Sequence, residues 1–275
     1  MTTAGILLRN ESIKTFRRLA FLVTAGAFGA INVIGFGQQY LRARRDPERS
    51  FALPDAWGSI LSDPVQVAML FGATVLILLI GSEYSWKTAR QNVIDGLSKN
   101  QWFAGKLLLL PIVAVVFLGM LVVVGGTLAY AGSPAGAALM TAGHARMLGA
   151  AALGVLGLGS IALFFAVLAR SGGPALGMFF LSITLLEQIV GALLRQVQPA
   201  WAWVTPWFPG RHFMELSSAS NWDAAAYARA VQRAAENGAT PPAPPADPLA
   251  LVLVSFGWML VFVSAAWLIY RSRDL

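Results

Sequence analysis

Leu107-Leu108-Leu109-Leu110-Pro111-Ile112-Val113-Ala114-Val115-Val116-Phe117-Leu118-Gly119-Met120-Leu121-Val122-Val123-Val124-Gly125-Gly126-Thr127-Leu128-Ala129-Tyr130-Ala131 is an uninterrupted apolar run without a single charge. A bilayer-spanning helix needs roughly 20 such residues. Inside a bilayer, backbone groups can pair only within helices or closed barrels. Barrel strands are roughly 10 residues long and alternate in polarity. This run is far longer and does not alternate, so it reads as a membrane-crossing helix.

Five further runs of the same kind flank it, at 19–41, 64–82, 147–169, 174–194 and 249–270. Pro64 suits the first turn of its helix, where no backbone donor is needed. Arg170-Ser171-Gly172-Gly173 is a short break between the fourth and fifth runs. The first run follows a basic N-terminus and is too long for a signal-peptide core, so it reads as a retained span. The expected fold is an all-α membrane protein: one transmembrane domain over 1–275, with six transmembrane helices and no clear internal repeat.

Composition agrees. The chain is 57% hydrophobic and 12% charged, about half the charged share of a soluble domain. Its net charge is +7, but the basic residues flank apolar spans. Anionic lipid and the bias of basic loops toward the cytoplasm account for them better than nucleic acid does. There is no cysteine, which excludes disulfides and thiolate sites.

With six spans both ends of the chain share one side. That side holds Arg9, Lys14, Arg17, Arg18, Lys87, Arg90, Lys99, Lys106, Arg170, Arg271 and Arg273 in short segments. The remaining basic residues lie in longer loops, where charge counts less. Both termini are therefore expected in the cytoplasm and the chain in the cell (inner) membrane. Arg42, Arg44, Arg45 and Arg49 run against this locally, but Asp46, Glu48 and Asp55 nearly neutralise that loop.

The outer connection, 195–248, is the longest. Trp201, Trp203, Trp207 and Phe208 stand among Pro206 and Pro209. Indole rings favour the headgroup layer, so the segment is expected to lie in or dip into the outer interface. An alanine-rich helix is expected at 222–236, followed by a stiff linker at Pro241-Pro242-Ala243-Pro244-Pro245.

The loop 83–106 is the most informative for function. Trp86, Ala89, Val93 and Leu97 recur at helical spacing, with Lys87, Arg90, Gln91 and Asp95 on the opposite face. This predicts a short amphipathic helix at the inner surface, ended at Gly96. A second short helix then leads to Lys106. A rigid helix held against the membrane can transmit force from a cytoplasmic partner to two spans at once.

Glu83, Thr88, Gly96, Lys99 and Gly105-Lys106, with the stretch Arg90-Gln91-Asn92-Val93-Ile94-Asp95-Gly96-Leu97-Ser98, resemble the permease subunits of type 2 ABC exporters. The layout is similar too: an N-terminal surface helix at 1–18, six spans, and a long outer loop before the last. Two positions depart from the pattern. Lys87 stands where many members have glycine, and Lys99 where many have arginine, which loses a planar fork for carboxylates. The resemblance implies that 83–106 is a coupling loop. Two permease subunits would pair, as homo- or heterodimer, each docked through Glu83, Lys87, Thr88, Arg90, Gln91, Asp95, Gly96, Lys99 and Lys106 on a cytoplasmic ABC ATPase. The chain has no G-x-x-x-x-G-K-[ST] phosphate loop. ATP and Mg would therefore sit on the partner ATPase, with no cofactor in this chain.

Glu187 lies inside the fifth span, where an acid is costly and hints at function. The resemblance makes a substrate path or subunit interface relevant there. The alternative is a protonated or hydrogen-bonded carboxyl that only packs. Arg195 is about two helical turns away, too far for a direct pair. His144 and His212 have no metal-ligand neighbour at helical spacing, so no metal site is expected. Gly26, Gly29, Gly119, Gly125 and Gly126 allow close helix approach, for packing or a dimer seam.

Two other classes compete. A secondary transporter or channel places several polar groups at mid-membrane, and only Glu187, Gln188 and Asn32 qualify. An intramembrane enzyme needs a nucleophile with a base, or a metal. No H-E-x-x-H or G-x-S-x-G occurs, and Ser160 has no histidine at its depth. The apolar spans suit a lipid-like or amphiphilic cargo without naming one.

Overall fold

A computed structural model of the chain describes residues 3–46, 49–88, 91, 97–220, 231–236 and 247–273. These are mostly helical, with no strand among them. Among the described residues, six helices are long and apolar enough to cross a membrane: Leu19–Arg45, Ala56–Ser85, Lys99–Ala131, Ala142–Ala169, Gly172–Val197 and Pro248–Ser272.

In chain order, α1 (Thr3–Arg17) precedes span one, α2 (Leu19–Arg45). Span two is a short α3 (Ala56–Ile60) followed by α4 (Asp63–Ser85), span three is α5 (Lys99–Ala131), and span four is α6 (Ala142–Ala169). Span five has three parts: α7 (Gly172–Phe180), a π-helical turn (Leu181–Leu186) and α8 (Glu187–Val197). A 3-10 stretch (Pro199–Trp207) leads to α9 (Pro209–Ala219), and α10 (Pro248–Ser272) is span six.

Local sequence explains the ends. Ser98 accepts from the Gln101 amide, and the Gln101 side chain accepts from the Ser98 amide. This reciprocal capping box starts α5. It also revises the expected second short helix before Lys106. That segment is the first two turns of α5, which runs unbroken through Lys106 and Pro111 to Ala131. Asp63 and Pro64 occupy the first turn of α4. On α2, Phe21, Ala25, Phe28, Asn32 and Phe36 form the buried stripe, at the spacing of one helical face. Asn32 satisfies its own amide by donating to Phe28 O at 2.7 Å.

The centre of the bundle is α4 and α6, whose apolar windows are 61% and 67% buried, against 17% for spans five and six. The outer spans therefore leave apolar faces for lipid or another subunit. Of the five glycines expected to pack helices, Gly125 and Gly126 lie against Ile60 and Trp57, while Gly26, Gly29 and Gly119 face open space.

The segment after span five is more than a surface loop. Trp201 and Trp203 are exposed, as interfacial indoles would be, but α9 packs into the bundle with His212, Phe213, Leu216 and Ser217 buried. Phe213 sits on α6 at Gly154 and Gly157, and a Cβ at Gly157 would stand 2.0 Å from the Phe213 ring. Only glycine admits that approach. Ser217 Oγ donates to Leu61 O at 2.5 Å, and the Trp258 indole donates to Trp207 O at 2.9 Å. Of the alanine-rich helix expected at 222–236, residues 231–236 are described and helical. The rest of it, and the linker at 241–245, lie outside the described residues.

Candidate functional site

Both ends of the 83–106 loop meet in one buried charge cluster. Glu83 is in the last turn of α4, and Lys106 is two turns into α5. Lys106 Nζ is 2.7 Å from Glu83 Oε1 and 2.8 Å from Glu11 Oε2. Glu11, Glu83 and Lys106 are all buried, Lys106 completely. One ammonium thus joins a carboxylate from span two to a carboxylate from the N-terminal helix α1.

Other groups complete the shell. The Trp102 indole donates to Glu83 Oε2 at 3.1 Å, and Lys106 Nζ lies 5.2 Å from the Trp102 ring centre. Tyr270 of α10 stacks on Trp102 with centroids 4.8 Å apart, closing the cluster from span six. Arg18, at the break between α1 and α2, donates to Leu79 O at 2.6 Å, to Ser82 Oγ, and to Glu83 Oε1 at 3.5 Å. A cation at the carboxyl end of α4 satisfies carbonyls that the helix leaves unpaired. Lys14, itself exposed, adds a pair to Glu11 at 3.6 Å.

The start of the loop is fixed as well. Thr88 Oγ1 donates to Glu83 O at 3.1 Å, and the Gln91 amide donates to Lys87 O at 3.1 Å. Lys87 takes a left-handed backbone, φ 55°, a conformation that glycine adopts at little cost. Trp86, Lys87 and Gln91 are exposed, and the Arg18 guanidinium lies 5.8 Å from the Trp86 ring centre. At the far end, Lys99 Nζ donates to Arg273 O at 3.4 Å, tying the loop to the end of α10. Arg90, Asp95 and Gly96 lie outside the described residues.

The fold thus brings together Glu83, Thr88 and Lys106 of the residues singled out in the sequence. It adds Glu11, Arg18, Trp102 and Tyr270, which sequence reading did not include. Glu11 and Arg18 are far from Lys106 in sequence, and only packing reveals the pairing. The cluster joins α1, α4 and α5 through charge. Its charges are consumed by one another, and no group of three or more metal-ligating side chains occurs among the described residues.

Glu187 belongs to a second site, at the opposite end of the bundle. Its carboxylate accepts from the Gly210 amide at 2.7 Å and the Arg211 amide at 2.9 Å. It therefore caps the N-terminus of α9 from another helix, where a negative charge also meets the positive end of the helix dipole. Gly210 is needed for this approach: a Cβ there would lie 2.9 Å from Glu187 Oε1. Behind it, His212 Nε2 and Ser255 Oγ are 2.9 Å apart, and burial holds His212 below the ordinary histidine pKa. In comparisons with known proteins, the chain matches no family model and no curated protein.

Proposed function

We propose that the chain is the permease subunit of an ATP-driven ABC exporter, working as a dimer on separate cytoplasmic ATPase subunits that bind ATP and Mg. The observation that carries this reading is the Glu83–Lys106–Glu11 junction, with its 2.7 and 2.8 Å contacts. A loop that transmits force must be stiff where it joins the membrane. Here its two ends are bonded to each other and to the surface helix, so a push on the loop moves α1, α4 and α5 together. Rigid elements with shared charge networks are the physical means of such transmission.

Two further features support it. Trp86, Lys87 and Gln91 are exposed on the loop, leaving a surface for a partner. Lys87 has the backbone geometry of a glycine, at the position where the resembled family commonly carries glycine.

The test is affinity purification of the tagged chain from its native host, with the wild type and Arg90→Glu. The wild type should bring an ATPase with it, and Arg90→Glu should lose most of it while still inserting. If no ATPase accompanies the wild type, the transporter reading fails. Equal recovery by both chains would remove the loop from the coupling role.

A further inference from the structure

Two cavities meet at Glu187, and they differ in character. The larger, about 610 Å³, has a mixed lining whose polar groups include Gln66, Gln188, Arg195, Arg211 and Glu215. The smaller, about 240 Å³, is apolar, with Phe165, Leu186, Val190 and Phe262 among its walls. Ile183, Glu187 and Phe208 line both, so the two adjoin.

The π-helical turn Leu181–Leu186 lies along the division. A π turn carries more residues per turn than an α-helix and shifts the side-chain phase, a device frequent at functional sites. Thr184 faces the polar space, Ser182 and Leu186 the apolar one, and Ile183 stands between them.

The formal charges of the cavity balance, Glu187 and Glu215 against Arg195 and Arg211, but they are not all paired with one another. Glu187 is engaged by two backbone amides. Arg211 Nε is paired with Glu215 at 2.9 Å. Arg195 has no ion pair and no side-chain hydrogen bond among the described residues, and it is exposed. The cavity therefore offers one uncommitted guanidinium, a group suited to bidentate recognition of phosphate or carboxylate.

We propose that these paired cavities bind one amphiphile with an anionic headgroup, the headgroup at Arg195 and an acyl tail along Val190 and Leu186. This deepens the transport reading by giving its cargo a chemical class. Binding itself needs no ATPase, so the two ideas fail separately.

The test is native mass spectrometry of the purified chain in detergent, titrated with phosphatidylglycerol, phosphatidylcholine or water-soluble glycerol phosphate. Phosphatidylglycerol should bind about tenfold more tightly than phosphatidylcholine, the size of one charge-assisted contact. Arg195→Gln should abolish that preference and Arg195→Lys should keep part of it. Val190→Trp, which fills the apolar cavity, should weaken both lipids. Glycerol phosphate should compete poorly. An unchanged preference in Arg195→Gln, or glycerol phosphate competing as well as the lipid, overturns the proposal. Because Arg195 is exposed, the glutamine variant folds and the decisive arm stands even if Val190→Trp does not express.

Discussion

Lys106 is the residue whose loss should cost most. It is wholly buried and faces two carboxylates. Lys106→Met keeps the bulk and removes the ammonium that bridges Glu11 and Glu83. Stranding a buried partner costs about 3–5 kcal/mol, and the next cation, Arg18, is 3.5 Å from Glu83. The variant should lose that much stability, and amides of residues 3–17 should exchange faster because α1 loses its anchor. Glu83→Gln should cost less, since an amide oxygen still accepts from Trp102. Equal melting and equal exchange for Lys106→Met and wild type would mean the cluster holds nothing. Glu83 and Lys106 were legible from the sequence as charges bracketing a loop. Their direct contact was not, because a 23-residue separation says nothing about how two helices lean. Glu11 was hidden for a further reason: its partner is 95 positions away, and α1 looks like any basic surface helix until it docks.

The element that sequence reading placed least well is α9. Tryptophans and prolines in 195–248 suggest an interfacial segment; Trp201 and Trp203 are exposed, but α9 is packed into the bundle. The packing of Phe213 into α6 depends on Gly154 and Gly157, which in a glycine-rich span carry no mark of their partner. The spans themselves were legible because each is a long apolar run, a signal that does not depend on tertiary contacts. Two predictions test α9. Glu187→Gln leaves one carbonyl oxygen for two amide donors, and its new NH₂ faces the other donor. About 1 kcal/mol of local stability should go, the size of a lost hydrogen bond at a partly exposed site, read as faster exchange at 209–219. The second concerns pH. Burial lowers the His212 pKa in the docked state, so the undocked state takes up its proton first as pH falls. Docking of α9 is then at full strength above about pH 6.5, the ordinary histidine value, and weakens below it. Protection of the amides at 209–219, taken relative to the intrinsic exchange rate at each pH, should fall on acidification, and His212→Gln should flatten that fall. A wild-type profile that is flat from neutral pH to pH 5 would remove His212 as the cause.

At the scale of the whole molecule, charge and packing together give an expected orientation. The end of the bundle holding α1, Lys87, Lys99, Arg271 and Arg273 buries its described acids, Glu11 and Glu83, inside the Lys106 cluster. The exposed charge left there, among the described residues, is basic. Short basic segments stay in the cytoplasm, so this end should face inward and the α9 end outward. The inward end is also where an ATPase would have to reach the 83–106 loop, so one experiment bears on both. The chain has no cysteine, and single-cysteine variants therefore report without background. Ser272 is exposed at the end of span six, and Ala135 is exposed in the turn between spans three and four. In intact cells a membrane-impermeant maleimide should label Ala135→Cys and spare Ser272→Cys. Permeabilised cells should show labelling at both. The opposite pattern in intact cells would invert the topology. It would put the loop between spans two and three out of reach of any ATP-hydrolysing partner, and the transporter reading would fall with it.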